Sequence, residues 1–148
     1  MAFEIGTDGI GGLVVGFDGS DPSYDALAFS AGIARRNGAR LVVVYAVDTT
    51  VEVIASLAAG AAGAIETAEA ATVERIRAET ARSLNELALD WDFVCARGDP
   101  AMALEFVADE RRVDVIVVGR SRSRMHRRIG SVSARLLRTA HHPIIVVP

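Results

Sequence analysis

The sequence contains no lysine, and all sixteen of its cationic side chains are arginines. A Walker-type phosphate lysine, a Schiff-base lysine and a lysine general base are therefore excluded. The single cysteine, Cys95, rules out an internal disulfide, and with only His126, His141 and His142 as imidazoles the usual Cys/His zinc spacings are missing as well. One free cysteine agrees with a reducing compartment. No apolar run approaches the ~18 residues of a membrane span. The longest, at residues 113–118 and 143–148, have the length of buried strands. Residues 1–12 carry acids and glycines where a leader would have basic and then apolar residues, so they are not read as a secretory signal. A soluble, cytoplasmic protein without membrane contact is expected.

What is present is a chain of 148 residues, 51% hydrophobic and 24% charged, about one average domain by length. A chain of this length buries roughly 70% of its unfolded surface and needs no disulfide or metal to hold a core. Residues 1–148 are read as a single domain, with 1–11 as a flexible N-terminal extension. Charge is uneven: residues 1–114 hold all nineteen acids and nine arginines, a net of −10, whereas residues 115–148 hold seven arginines and no acid, a net of +7. This basic block offers a site for phosphate, or else is a solvated arginine face neutralised by acids elsewhere in the fold. Nucleic acid is not expected as a partner, because no aromatic residue follows Phe106 to provide a stacking platform.

Along the chain, Leu13 to Phe17 predicts a strand, and Asp18-Gly19-Ser20-Asp21-Pro22 is a cluster of turn formers and helix-start residues. Asp21 is placed as N-cap with Pro22 at the first helical position; Tyr24, Leu27, Ala28, Ala31 and Ala34 recur at helical spacing until Asn37-Gly38. A second strand is expected over 41–47, nearly continuous in hydrophobicity as a strand covered on both faces would be. Residues 48–63 give no clear signal. Residues 64–88 predict a long amphipathic helix presenting Ile65, Ala68, Val73, Ile76, Ala81, Leu84 and Leu87. A short strand at 92–97 leads through Gly98-Asp99-Pro100 into a helix at 100–111, with Met102, Leu104, Phe106 and Val107 placed for burial. Residues 113–118 are the strongest strand; a basic loop follows, Gly130-Ser131 opens a helix bearing Val132, Leu136, Leu137 and Ala140, and 143–147 closes as a strand. Alternation of this kind implies an α/β fold: one open, doubly wound parallel sheet of five strands, Rossmann-like or flavodoxin-like, in a three-layer sandwich.

In such sheets ligands bind beyond the carboxyl ends of the strands, where strand order reverses. Two loops at such ends are chemically equipped. Gly130-Ser131-Val132-Ser133 opens a helix whose free N–H groups and positive dipole end suit an anion, with Arg120, Arg122, Arg124, Arg127 and Arg128 just upstream. Ser131 is also open to the plainer role of helix cap. Asp18 lies just past a buried strand, where its carboxylate accepts a hydrogen bond from a base or ribose, or simply holds the turn. No reaction is indicated. A G-x-S-x-G elbow is absent, Asp109/Glu110 and Glu66/Glu69 read as solvent-face carboxylates beside arginines, and His141 and His142 read as cations at a helix end.

The motifs Val14-Val15-Gly16-Phe17-Asp18-Gly19-Ser20, residues 42–48, Val117-Val118-Gly119, Gly130-Ser131-Val132 and His142-Pro143-Ile144-Ile145-Val146-Val147 together resemble the universal stress proteins, over about residues 12–148. The resemblance implies strand order 3-2-1-4-5 and a homodimer through the last strand. It also implies, for one branch of the family, ATP bound with adenine near Gly16, Asp18 and Ala46, ribose and phosphates on Gly119, and phosphates on Gly130, Ser131 and Val132. That branch carries glycine, two residues, glycine, nine residues, then glycine with Ser or Thr. Here Arg122 holds the second glycine's place, as a cation that can compensate in charge, and seven residues separate it from Gly130. The expected function is a cytosolic stress-response regulator that binds ATP or another adenine nucleotide, with or without Mg2+, and is not an enzyme; slow ATP hydrolysis is a third reading, which requires that nucleotide binds and has no clear general base to support it. The alternative is a member of the branch without nucleotide, acting as a dimeric protein-interaction module.

Overall fold

A computed structural model of the chain describes residues 9–47, 58–60, 62–120 and 132–148. Its strands are β1 (Gly12–Gly16), β2 (Arg40–Val47), β3 (Trp91–Arg97), β4 (Val115–Gly119) and β5 (Ile144–Val147), interleaved with helices α1 (Asp21–Asn37), α2 (Ala62–Leu84), α3 (Pro100–Arg111) and α4 (Val132–Thr139). The strands form one five-stranded sheet in the order β3-β2-β1-β4-β5, with every neighbouring pair parallel. The α/β architecture is the one expected from the alternating pattern, and the strand order is the one that the resemblance implies.

Side chains alternate across a strand, so each apolar strand feeds two cores. Leu13, Val15, Leu41, Val43, Val115 and Val117 pack under α1 and α2 with Leu27, Ile33, Ile76 and Leu84. Val14, Val42, Val44, Ile116 and Val118 pack under α3 and α4 with Leu104, Val107 and Leu136. Each fully buried Val, Leu or Ile of this kind contributes about 1.5–3 kcal/mol. The continuous apolar runs in β1, β2 and β4 are thus required by burial on both faces.

Several local expectations are corrected. Ser20, not Asp21, is the N-cap of α1, its extended backbone (φ −76°, ψ 155°) placing Asp21 and Pro22 in the first turn. The helix buries Ser23, Ala26, Leu27, Ser30, Ala31, Ile33 and Ala34. Ala28 faces solvent instead and Tyr24 is partly exposed at the flank of the helix, because the small Ser23, Ala26 and Ser30 let the helix lie close to the sheet. On α3 the alanines again take the inner positions, so Met102 and Phe106, expected inside, are 68% and 65% exposed. Leu137 of α4 and Ala68 of α2 are exposed as well. Asp99 is the N-cap of α3 as expected, accepting from the Met102 N–H at 3.1 Å. The helix expected to 88 ends at Leu84 in a 3-10 turn over Asn85–Leu87. Within the N-terminal stretch read as a flexible extension, Gly11 donates its N–H to Asp114 at 2.7 Å and Ile10 packs on the first core. Residues 1–8 lie outside the described residues.

Candidate functional site

Strand order reverses between β1 and β4, so the crevice at issue lies beyond Gly16 on one side and Gly119 on the other. The register sets Gly16 beside Val44 of β2 and, one pair earlier, Val15 beside Val117 of β4. Gly16 and Gly119 therefore end β1 and β4, and Ala46 lies one residue before the end of β2, all at the carboxyl ends of adjacent strands. Beyond Gly16 the chain keeps its pairing for one more residue, the Phe17 N–H donating to the Val44 carbonyl at 2.9 Å, and then turns.

The turn is closed by its own polar groups. The Ser20 N–H donates to Asp18 Oδ1 at 2.9 Å, the Ser23 hydroxyl donates to the Ser20 carbonyl at 2.8 Å, and the Asp18 N–H donates to the Ser23 hydroxyl at 3.3 Å. Gly19 sits at φ +82°, a left-handed conformation that glycine adopts freely. Burial alone raises the Asp18 carboxyl, yet the hydrogen bonds from Ser20 and Ser23 outweigh it and hold it below the ordinary carboxylate range. Asp18 thus holds the turn through Oδ1, and its carboxylate is exposed.

Across the crevice, Gly119 meets the first turn of α1 directly. A Cβ placed there would stand 2.1 Å from the Pro22 carbonyl oxygen and 2.4 Å from its carbon. Only glycine fits. Just after it, the Arg120 N–H donates to the Val147 carbonyl at 2.7 Å, and the Arg120 side chain is exposed at the end of β4. In the sequence, the only mark of this close approach of α1 to β4 is a glycine ending a strand.

Of the remaining expected residues, Ala46 is half-buried near the end of β2, and Val132 at the start of α4 packs on the second core. Arg122, Gly130 and Ser131 lie outside the described residues, as do Arg124, His126, Arg127 and Arg128. The structure thus brings Gly16, Asp18, Ala46 and Gly119 to one end of the sheet. Within the basic block, Arg135 pairs with Asp99 at the start of α3, in keeping with partial neutralisation by acids elsewhere in the fold.

The histidine reading needs correction. His141 is exposed, but His142 is buried, with Nδ1 3.4 Å from Glu105 Oε2 and Nε2 3.5 Å from Asp109 Oδ1. It ties α3 to the chain just before β5. Among the described residues no group of three or more His, Cys, Asp or Glu could hold a metal ion, and no helix is long and apolar enough to cross a membrane. A groove of about 400 Å³, lined in part by Val47, Val73, Cys95 and Arg97, opens on the other side of β2. Burial pushes the Cys95 thiol up, away from the reactive thiolate form.

Comparison with known proteins gives a consistent result. The family model of the universal stress protein family matches residues 11–148. Universal stress protein MJ0531 from Methanocaldococcus jannaschii is 28% identical over 141 residues, covering 91% of this chain and 80% of that protein. Among solved structures, a universal stress protein in complex with cAMP superposes with a TM-score of 0.72 at 26% identity, covering 95% of this chain and 98% of its own. The universal stress protein from Archaeoglobus fulgidus in complex with dAMP shares the fold, with a TM-score of 0.65 at 21% identity, over 92% of this chain and 96% of its own.

Proposed function

Since this chain belongs to the universal stress protein family, we propose that it is a regulatory protein that binds an adenine nucleotide in the crevice between β1 and β4, and not an enzyme. The observation that carries this reading is the division of chemistry across the crevice. On the β1 side stands an ionised, exposed acceptor, Asp18, suited to amino and hydroxyl donors of a nucleoside. On the β4 side the exposed Arg120 opens the arginine-rich segment, suited to phosphate. The two sides therefore suit a nucleotide, with adenine near Gly16, Asp18 and Ala46, ribose and phosphates on Gly119, and phosphates on Gly130, Ser131 and Val132 with Arg122 adding charge. The relative whose structure is a complex with cAMP supports the same class of ligand. When bound, the nucleotide supplies a signal through occupancy; no side chain in the crevice is assigned a chemical step.

Titration calorimetry of nucleotide-stripped protein with ATP, AMP and cAMP, with and without Mg2+, tests the proposal. Micromolar or tighter binding is the expected result. No heat, with no nucleotide carried through purification by mass spectrometry, refutes it. One observation favours a second reading, a dimeric interaction module of the branch without nucleotide: Arg122 stands where the binding pattern has glycine, and seven residues separate it from Gly130. In either reading the partner is a second copy joined through β5, an apolar strand at the sheet edge that is only half-buried in the single chain. A monomer by light scattering at micromolar concentration contradicts that pairing.

A further inference from the structure

The turn that carries Asp18 has a neighbour that the crevice reading leaves unused, the flank of α2. The Glu79 side chain is only 15% exposed and divides its two oxygens. Oε1 accepts from the Arg75 guanidinium at 2.7 Å and Oε2 accepts from the Tyr24 hydroxyl at 3.0 Å. The same Oε2 would lie 3.2 Å from a Cβ on Gly19, with Ile76 Cδ1 at 3.1 Å, so α2 closes directly over the turn. Tyr24 is bound into that turn twice. Its N–H donates to the Ser20 carbonyl at 3.0 Å, and its ring stands edge-on to Phe17 with centroids 4.9 Å apart. Two residues before it, Pro22 sets the approach to Gly119.

We propose that Glu79 is a positioning residue for the nucleotide crevice: by gripping Tyr24 and seating against Gly19 it fixes the Asp18–Ser20 turn and the first turn of α1, and so sets the direction of the Asp18 carboxylate and the distance from α1 to β4. Without this grip the turn keeps its own hydrogen bonds and the Phe17 and Ile76 contacts but loses its polar tie to α2, and Asp18 samples orientations unfit for a ligand donor. Charge is secondary here. What matters is an oxygen at the position of Oε2.

The consequence for affinity rests on the nucleotide reading, whereas the consequence for the turn does not, and the experiment separates the two. In calorimetry, Glu79→Ala weakens ATP binding roughly tenfold, the scale of one lost hydrogen bond to a charged group. Tyr24→Phe, which keeps the ring on Phe17, weakens it in the same direction. Glu79→Gln keeps an oxygen for the Tyr24 hydroxyl and loses only the exposed Arg75 pair, so it stays near wild type. In nucleotide-free protein, amide hydrogen exchange at Ser20 and Tyr24 is faster in Glu79→Ala and Tyr24→Phe and restored in Glu79→Gln. A lowered Tm with unchanged affinity and unchanged exchange at these amides reduces Glu79 to a stabilising contact and overturns the proposal. If wild type binds no ATP, the nucleotide reading falls and exchange alone decides: unchanged rates at Ser20 and Tyr24 refute the grip.

Discussion

Replacing Gly119 by alanine is the sharpest perturbation that the structure offers, because two effects of opposite sign compete. Gly119 is not among the glycines with positive φ, so its backbone is one that alanine adopts without strain. If space were available, the substitution would stabilise the chain by about 0.4–1 kcal/mol through the unfolded state. Space is not available. The new Cβ would lie 2.1 Å from the Pro22 oxygen, when real Cβ contacts essentially never fall under 3.0 Å, so α1 and β4 must separate by about 0.9 Å. Neither can move freely, since β4 is paired on both sides and the first turn of α1 is tied to Ser20, Ser23 and Glu79. Overpacking against rigid neighbours costs about 1–3 kcal/mol or more. Near 3 kcal/mol, a chain of this size loses roughly 6–12 °C in Tm. Urea unfolding followed by circular dichroism, with thermal melts, measures it. An unchanged or raised stability would show that the close approach of Pro22 to Gly119 is wrong.

Two other outcomes follow from local geometry. Gly32 lies in the middle of α1, where an added Cβ would meet only the flexible tip of Arg36 at 3.2 Å. Gly32→Ala is therefore expected to stabilise by about 0.5–1 kcal/mol in the same urea assay, the reverse of Gly119→Ala. Asp18 is held below its unfolded carboxylate value of about 3.9, so its contribution to stability is complete above that value and is lost as pH falls through the lower folded value. Wild type should lose more stability than Asp18→Asn between about pH 4 and the acid limit, and equal acid slopes for the two proteins would contradict the assigned hydrogen bonds.

The strands were legible because burial on both faces leaves little choice but Val, Ile and Leu, as in 41–44 and 115–118. Helix faces were harder to read wherever alanine and serine compete with larger residues. On α3, Ala101, Ala103 and Ala108 are buried and Phe106 is not, because contact with a sheet favours small residues as well as apolar ones. The N-cap slipped by one residue since Ser20 and Asp21 are both competent caps and only backbone angles distinguish them. At the site, Gly16, Asp18 and Gly119 were marked by their places at strand ends. The Tyr24 to Glu79 and Pro22 to Gly119 contacts were invisible, since they join residues distant in sequence and carry no periodic signal. His142 was misread for the same reason: its carboxylate partners lie on α3.

The central position of β1 has a consequence for how the protein is made. Its partner β4 pairs Leu13 with Val115, so the two strands are separated by nearly the whole domain. At a translation rate of ~5–20 residues per second, β1 waits on the order of 5–20 s for β4 to be synthesised. Until then it can pair only with β2, and the apolar edge of Leu13, Val14 and Val15 is bare on the growing chain. The sheet is therefore completed, and the crevice first exists, only near the end of synthesis. Until then the apolar edge of β1 has no strand beside it, and a ligand of the finished crevice has nothing to bind.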